Sequence, residues 1–425
     1  MESKIIKQEG NKLTIQVEIE LDSTSMLNSE EQIAKALNSA GIQATKKALE
    51  QFDTDGSPID VEGETLTSKG KEKKKYQVPY GDLIVARHVY QTSKGGRTYC
   101  PLEKDAKIIH SSSPHFAKQI SSKYSNLSAK KVQTDLSSNH YRNVSQDFIT
   151  CLSNDVGKLI EQQESNWSYA LPPQALKAKV VSIGRDGTTM YIRSDGYRET
   201  MNGTISFYDD QGNRLHTIYM AQAPEYGKTS FNEKFEREII RVKHLVEKAT
   251  YVGLADGAKD NWTFLEKFTE VSIIDFWHAS EYLTLASKAC SKSAYERKQW
   301  LEQARHDLRY EADSACKLLK QMKKFRRKHK LSEIAKEGLE RAITYFSNHL
   351  HQMEYSEHAN NNLPIGSGVT EAACKVIVKE RLCQSGMKWR INGAQNTLNI
   401  RALSHSDGRW KQFWNFVNNY DFSLN

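Results

Sequence analysis

The chain has 425 residues, 38% hydrophobic and 26% charged, with six cysteines and a formal net charge of +8. The length predicts two to four domains, the lack of an apolar run of about 18 residues excludes a membrane span, and the N-terminus shows no secretory signal pattern. The cysteines form no CxxC pair, which argues against a disulfide framework or a zinc finger and suits a reducing cytoplasm, while the positive charge favours a polyanionic partner without requiring one.

Residues 1–75 are predicted to be an N-terminal helical segment followed by a lysine-rich linker. A loose apolar face indicates a helix over residues 29–52, capped by Asn28 or Ser29. Residues 54–75 are rich in Gly, Lys, Glu and Ser and end in KGKEKKK, which is typical of a linker or mobile loop. A solvated run of charge is the favoured interpretation there, and contact with DNA phosphates is the alternative.

Residues 76–172 are predicted to form a β-hairpin and a helical DNA-binding region. Residues 76–100 have strand-like alternation with a turn at SKGGR. Three helices are expected at 115–124, 128–138 and 144–161, with a short polar break between the last two. Such a unit is similar to a helix-turn-helix DNA reader, although any three-helix packing unit would give the same pattern. The Pro pair after Leu171 then predicts a domain boundary.

Residues 173–278 alternate between strands and helices. A helix is predicted at 229–249, a long helical block at 278–353, a loop at 360–368 and then a helix that carries Glu371. The element order is that of an α/β, RNase H-like fold with a mixed sheet. We therefore predict a catalytic domain made of residues 173–278 and 360–403, an all-helical insertion at 279–359 and a C-terminal segment at 404–425. The predicted strands are KVVSIGRDGT, GTISFYD, RLHTIYMAQ, TYVGLAD and TEVSIID.

Three acidic residues fall on elements that this fold would bring together. Asp186 is expected to end the first strand and Asp256 the fourth, which would be neighbours in the sheet, and Glu371 lies on the late helix. Mg²⁺ prefers oxygen ligands and keeps several waters, so two or three carboxylates leave room for a substrate phosphate, and Mn²⁺ is expected to substitute. Two such ions about 3.5–4 Å apart can activate a water or a 3′-hydroxyl and stabilise the leaving oxygen.

Each of these acids also has an ordinary structural explanation. An Asp at a strand end is commonly a turn or cap residue, and the glycine after each Asp suits a turn as well as a close approach of DNA. Glu371 is also acceptable as a first-turn glutamate favoured by the helix dipole. The prediction therefore depends on the joint occurrence of Asp186, Asp256 and Glu371 in this order.

Four strings of the chain resemble those of bacterial insertion-sequence transposases of the ISKra group, which are related to the ISLre group and more distantly to Mutator-type elements. They are VSIGRDGT, YVGLADGA, IIDFWHASEYL and LPIGSGVTEAACKVIVKERLCQSGMKW, and the resemblance covers roughly residues 81–414. It implies that Asp186, Asp256 and Glu371 are the three acids of a DDE catalytic triad. It also implies Mg²⁺, terminal inverted repeat DNA and an oligomeric synaptic complex. Relatives often carry a CPxCG-like cysteine pair where this chain has KGKEKKK, so no zinc is expected.

Asp275 and His278 form a DxxH motif of a kind found in Mutator-like relatives between the second and third acids. His278 is a predicted catalytic residue that would reach the scissile phosphate or orient a ligand. The alternative is a helix-capping Asp275 with His278 packed under Trp277 and Tyr282. A further alternative makes Asp275 the metal ligand in place of Asp256.

Basic residues near Glu371 and in the helical block are predicted to contact DNA. Cations near the site would offset charge in the transition state, and a dense basic helix would track the phosphate backbone with salt-sensitive affinity. A tryptophan between two cations would stack on an unpaired base, although a core position is the alternative. The predicted contacts are Lys323, Lys324, Arg326, Arg327, Lys375, Lys379, Arg381, Lys388, Trp389 and Arg390.

The sequence thus predicts a cytoplasmic, nucleoid-associated DNA transposase with no membrane association. It would act as a homodimer or larger synaptic oligomer on terminal inverted repeats, cleave their ends by Mg²⁺-dependent hydrolysis and join the 3′-hydroxyl to target DNA. Two alternatives stay open: a domesticated DNA-binding protein of this fold that no longer transposes, and an RNase H-like nuclease without strand transfer. No phosphate loop, GxSxG or HExxH motif offers another chemistry.

Overall fold

The computed structural model describes residues 3–328 and 331–422. They fall into a first unit, which comprises Met1–Tyr169, Asn399–Arg401 and Trp410–Asn425, and a second unit, which comprises Ala170–Leu398 and Ala402–Arg409. His329 and Lys330, at the end of the predicted basic run in the helical block, lie outside the described residues. Within the described ranges, no helix combines the length and apolarity needed to cross a bilayer.

The first unit begins with a hairpin, a long helix and an antiparallel sheet. The hairpin is β1 (Ser3–Glu9) and β2 (Lys12–Val17), and the helix is α1 (Met26–Glu50). Ser25 caps α1 by accepting the Asn28 N–H, so the predicted cap was placed three or four residues too late. The sheet has the order β3 (Ile59–Val61), β4 (Glu64–Val78), β5 (Gly81–Thr92) and β6 (Gly95–Tyr99).

Strand β4 corrects the prediction of a lysine-rich linker. The segment KGKEKKK lies inside this 15-residue strand and pairs with β5 up to the register Val78↔Gly81. Alternation explains the result, since Tyr76 and Val78 are fully buried on one face while Lys73 and Lys75 are exposed on the other. Lys73 and Lys75 therefore belong to the solvent face of a strand. The lysines between them and around them concealed the alternation with a period of two.

Four helices complete the main body of the first unit. They are α2 (Pro101–Asp105), α3 (Pro114–Asn126), α4 (Ala129–His140) and α5 (Gln146–Asn166), so the three predicted helices are confirmed with slightly longer bounds. Ser128 and Ser145 are the N-caps of α4 and α5, and the hydroxyl oxygen of each accepts the backbone N–H of the residue three positions later. Their apolar faces are buried, with Ile120, Val132 and Ile149 fully enclosed.

A five-stranded mixed sheet forms the centre of the second unit. Its strands are β7 (Val180–Ile192), β8 (Gly196–Tyr208), β9 (Arg214–Gln222), β10 (Thr250–Ala255) and β11 (Val271–Ile274), in the order β11-β10-β7-β8-β9. The strands β7, β8 and β9 form an antiparallel meander, and β10 and β11 run parallel to β7. The predicted neighbourhood of the first and fourth strands is confirmed, because Thr250–Leu254 pair with Val180–Gly184.

The β7–β8 hairpin is longer than predicted, and this moves Asp186 into the middle of its strand. Pairing continues without a break from Val180↔Tyr208 to Ile192↔Gly196, so Asp186 does not end the first strand. The parallel pairing with β10, however, stops at Gly184. Asp186 therefore lies just beyond the point where the β10 ladder ends, although its own strand continues.

Helices cover both faces of this sheet. On one face lie α6 (Thr229–Leu245) and α7 (Lys259–Leu265), and a Cβ on Gly203 would lie only 2.8 Å from the ring of Phe235. The other face receives α13 (Gly368–Ala373), because a Cβ on Gly184 would lie 2.0 Å from Thr370 Oγ1. Alternation along β7 places Arg185 on the α6 side and Asp186 on the α13 side.

The predicted helical block between β11 and α13 is confirmed. It consists of α8 (Phe276–Cys290), α9 (Ala294–Tyr310), α10 (Ser314–Lys328), α11 (Glu333–His349) and α12 (Tyr355–Asn360). After α13 the chain forms a π-helix over Cys374–Lys379, which leads into α14 (Glu380–Leu382). The last helices are α15 (Ile391–His405) and α16 (Arg409–Asn419). A π-helix widens the helical turn and is frequent at functional sites.

Candidate active site

Asp186 lies on the α13 side of β7 and is held by two protein donors. Its Oδ1 accepts the Gly187 N–H at 2.7 Å, and its Oδ2 accepts the Cys374 thiol at 3.3 Å. Burial is the main cause that raises the pKa of Asp186 above its ordinary value, and the charges of Asp256 and Glu371 raise it further, while the two hydrogen bonds lower it. Burial and the two neighbouring acids therefore both disfavour the ionised form of Asp186.

Asp256 follows β10 directly and is half-buried. Its Oδ1 accepts from the Ala258 N–H at 3.0 Å and from the Asn261 amide at 3.1 Å. A Cβ on Gly257 would lie 2.7 Å from Tyr345 Cε2. Packing against this ring therefore accounts for the glycine after Asp256.

Glu371 is exposed on α13, and the preceding loop orients its side chain. Ser367 Oγ donates to Glu371 Oε1 at 2.8 Å. The helix itself is fixed to the sheet by the buried contact between Thr370 Oγ1 and Thr204 Oγ1 at 2.7 Å. The position of Glu371 thus follows from the packing of α13 on β7 and β8.

The three acids line one cavity of about 290 Å³. Strand β7, the end of β10 and helix α13 each contribute one acid, so residues far apart in the chain meet where the parallel pairing stops. The other polar or aromatic residues that line the cavity are Arg185, Asp275, Trp277, His278, Glu281, Ser367 and Thr370. Acidic side chains thus outnumber cationic ones in this lining.

The donor chemistry of the triad fits Mg²⁺, because every predicted ligand is a carboxylate oxygen. Among residues 3–328 and 331–422, no group of three or more His, Cys, Asp or Glu side chains is arranged as it stands to hold a metal ion. One oxygen of each carboxylate accepts a side-chain hydrogen bond: Asp186 from Cys374, Asp256 from Asn261 and Glu371 from Ser367.

The Asp of the DxxH motif is a helix cap. Asp275 is 1% exposed, its Oδ1 accepts the His278 N–H at 2.5 Å, and its Oδ2 accepts the Ser367 N–H at 2.5 Å. Because Asp275 is buried and both of its oxygens accept backbone N–H groups, we assign it to the capping alternative and keep the half-buried Asp256 as the predicted ligand. Asp275 also joins the start of α8 to the residue that orients Glu371.

His278 lines the cavity but is not packed under Trp277. Its ring lies edge-on to Tyr282 and Tyr345, with centroids 5.6 Å and 5.7 Å away, and its Nδ1 is 3.7 Å from a Glu281 oxygen. The side chain is about one-third exposed, at 36%. His278 is therefore placed to reach a ligand in the cavity, and its catalytic role stays a prediction.

Two of the predicted DNA contacts are packed against the fold, Arg381 as a buried side chain and Trp389 as a half-buried one. Arg381 is 2% exposed, and its guanidinium stacks 5.2 Å from the centroid of Trp389. Trp389 donates its indole N–H to the Leu382 carbonyl and exchanges backbone hydrogen bonds with Tyr191 and Arg193. These partners satisfy both side chains within the fold, so we assign Arg381 and Trp389 to core packing.

The other predicted basic contacts are exposed, and none lines the acidic cavity. Lys375 follows Glu371 by one turn but does not share the cavity. Arg326 forms an ion pair with Glu340 at 3.3 Å. One face of α10 is buried through Leu318 and Met322, so the basic side chains occupy only the other part of its surface. The exposed members are Lys323, Lys324, Arg326, Arg327, Lys375, Lys379, Lys388 and Arg390.

Sequence reasoning missed several residues of the site. Ser367 lies four residues before Glu371 in GSGVTE, and this spacing could have predicted the contact between the two side chains. Cys374 lies three residues after Glu371, yet its contact with Asp186 spans 188 residues of chain. No local pattern predicts that Arg185 lines the cavity or that Tyr345 packs against His278.

Comparison with known proteins assigns no family. No protein-family model matches the chain, and no curated protein matches it significantly. The site must therefore be interpreted from its own geometry and charge.

Proposed function

We propose that the protein is a DDE transposase whose second unit has an RNase H-like catalytic fold. The observation that carries the proposal is the convergence of Asp186, Asp256 and Glu371, from β7, the end of β10 and α13, on one acidic cavity. The mixed sheet order and the helical block inserted before α13 support the same fold assignment. The resemblance to ISKra-group transposases, the net charge of +8 and the exposed lysines of α10 support DNA as the substrate.

In this proposal the three carboxylates hold Mg²⁺ or Mn²⁺, which supplies activation of the attacking hydroxyl and stabilisation of the leaving oxygen when bound. Ser367 orients Glu371, and Asp275 fixes the backbone on which Ser367 lies. Arg185 is buried and forms an ion pair with Asp260 at 2.6 Å. It therefore links β7 to α7, and its charge is already paired.

The test is cleavage and joining of DNA that carries the element ends, with purified protein and Mg²⁺ or Mn²⁺. We expect Asp186→Asn, Asp256→Asn and Glu371→Gln each to abolish both reactions. Asp195→Asn, in the turn of the same hairpin, and Glu380→Gln, after the π-helix, are matched controls that should remain active. Full activity in all three triad variants would refute the proposed site.

Two further outcomes separate the remaining candidates. Cleavage without joining of pre-cleaved ends would indicate an RNase H-like nuclease. Specific binding of ends without cleavage at any divalent ion concentration would indicate a domesticated DNA-binding protein. The proposed transposase is expected to bind terminal inverted repeats and target DNA as a dimer or larger synaptic assembly, and light scattering with and without end DNA measures that state.

A further inference from the structure

Trp277 is the tryptophan whose exposure needs an explanation. Its side chain is 60% exposed, whereas the other six tryptophans are buried or half-buried. A tryptophan carries a large apolar surface that usually contributes to a core or an interface. Single exposed apolar residues are common, so exposure alone assigns no role. The location of Trp277 in the fold decides whether its exposure indicates a role.

Trp277 borders the acidic cavity in the first turn of α8. Its ring lies edge-on to Phe276, with centroids 5.3 Å apart, and Phe276 is itself held edge-on by Tyr355 at 5.3 Å. Gly366 also lies near the indole, since a Cβ there would be in ordinary van der Waals contact with Trp277 Cδ1 at 3.5 Å. The indole is therefore supported on one side and open to solvent on the other.

We propose that Trp277 is the stacking site for an unpaired base next to the phosphodiester that Mg²⁺ on the three carboxylates would hold. This inference rests on the proposed function, since the acids must bind a nucleic acid phosphate through that cation. A base is joined to its phosphate through a single sugar, so a nucleotide in the cavity carries its base to the rim. In a duplex the base faces are covered by their neighbours, so only an unpaired or flipped base can offer its face to the indole.

This assignment replaces the stacking role that the sequence suggested for Trp389. Arg381 lies over one face of the Trp389 ring, the indole N–H is donated to the Leu382 carbonyl, and Trp389 does not line the cavity. Trp277 has the exposure and the location that Trp389 lacks. The consequence is a preference for frayed, mismatched or single-stranded DNA at the reacting nucleotide.

The experiment measures binding of fluorescently labelled single-stranded and duplex DNA in Ca²⁺. Trp277→Ala should weaken single-strand binding by roughly 5- to 100-fold and duplex binding by less than about twofold, while Trp277→Phe should keep most of the single-strand affinity. Tyr295→Ala removes an aromatic side chain that is 70% exposed on α9 and serves as the matched control. Equal weakening for both DNA forms, or none for either, would overturn the proposal.

Acrylamide quenching gives a second measurement that does not depend on catalysis. Because Trp277 is the exposed tryptophan, Trp277→Phe should lower the quenchable emission, and single-stranded DNA should protect the emission of the wild type but not the remaining emission of this variant. Lack of protection while DNA is bound would contradict stacking. The triad variants separate the two proposals. If these variants still cleave DNA, and single-stranded DNA still protects Trp277 from acrylamide quenching, the catalytic assignment fails and the stacking site stands.

Discussion

Replacement of Asp275 by Asn should weaken the second unit and disturb Glu371 at a distance. The buried carboxylate accepts one N–H from the start of α8 and one from Ser367, each at 2.5 Å. Asparagine keeps one acceptor oxygen, and its amide group then faces the other N–H as a second donor. One charge-assisted hydrogen bond is lost and one buried donor is left unpaired.

The magnitude follows from these two losses. A hydrogen bond to a charged group contributes about 1.5–3 kcal/mol, and an unpaired buried donor costs about 1–3 kcal/mol. We therefore expect the free energy of unfolding of Asp275→Asn to fall by about 3 kcal/mol. The exposed N-cap Ser293 of α9 provides the matched control, since Ser293→Ala should cost only about 1 kcal/mol.

Urea unfolding and hydrogen exchange together test this reasoning. Exchange of the Ser367 and His278 amides should accelerate in Asp275→Asn, and DNA cleavage should fall because Ser367 no longer orients Glu371. A stability within about 0.5 kcal/mol of the wild type, with unchanged amide exchange, would refute the capping role. Loss of cleavage with normal stability and exchange would instead favour Asp275 as a metal ligand.

Gly257→Ala should lower the free energy of unfolding by about 1–3 kcal/mol and reduce cleavage, because the added Cβ meets Tyr345 at 2.7 Å. Glu238→Gln should cost about 3 kcal/mol near neutral pH, since Glu238 is paired with Arg409 and Arg241. Burial opposes ionisation of Glu238, but the arginines prevail and lower its pKa from 4.5 to about 2, so this stabilisation is present above the ordinary pKa and is lost as the pH falls from about 4.5 to 2. Arg381→Ala should destabilise the fold by about 2–4 kcal/mol, whereas Lys388→Ala should change stability by less than about 0.5 kcal/mol.

Each of these predictions has a specific control or contrary result. Gly368→Ala adds a Cβ with no atom within 4 Å and should be tolerated, so equal loss in both glycine variants would contradict the packing argument. Urea titrations of wild type and Glu238→Gln should converge at low pH; a constant difference down to about pH 2 would show that the ion pairs are not responsible. A stable Arg381→Ala variant with weakened DNA binding would restore Arg381 as a phosphate contact.

Local patterns were sufficient for most of the element assignments. Strand and helix periods predicted β9, β10, the helical block and α13 close to their observed bounds, because such periods depend on neighbours within a few residues. They missed the β1–β2 hairpin, and they failed at β4, where lysines mask the alternation. They also made β7 and β8 too short, because Gly187 after Asp186 suggested a turn inside a continuous hairpin. All of these failures concern strands, whose partners the local sequence does not specify.

The sequence by itself determined which residues could carry the chemistry: an Asp after the β10 segment, an Asp in VSIGRDGT and a Glu at the start of a late helix. Only the tertiary structure decided how they are used. It placed the thiol of Cys374 on Asp186 across 188 residues and closed the hydrogen bond of Asp275 with Ser367 across 92. It also enclosed Arg381 and left Trp277 exposed. Contacts between segments this far apart depend on how sheet and helices pack, and no local pattern records that packing.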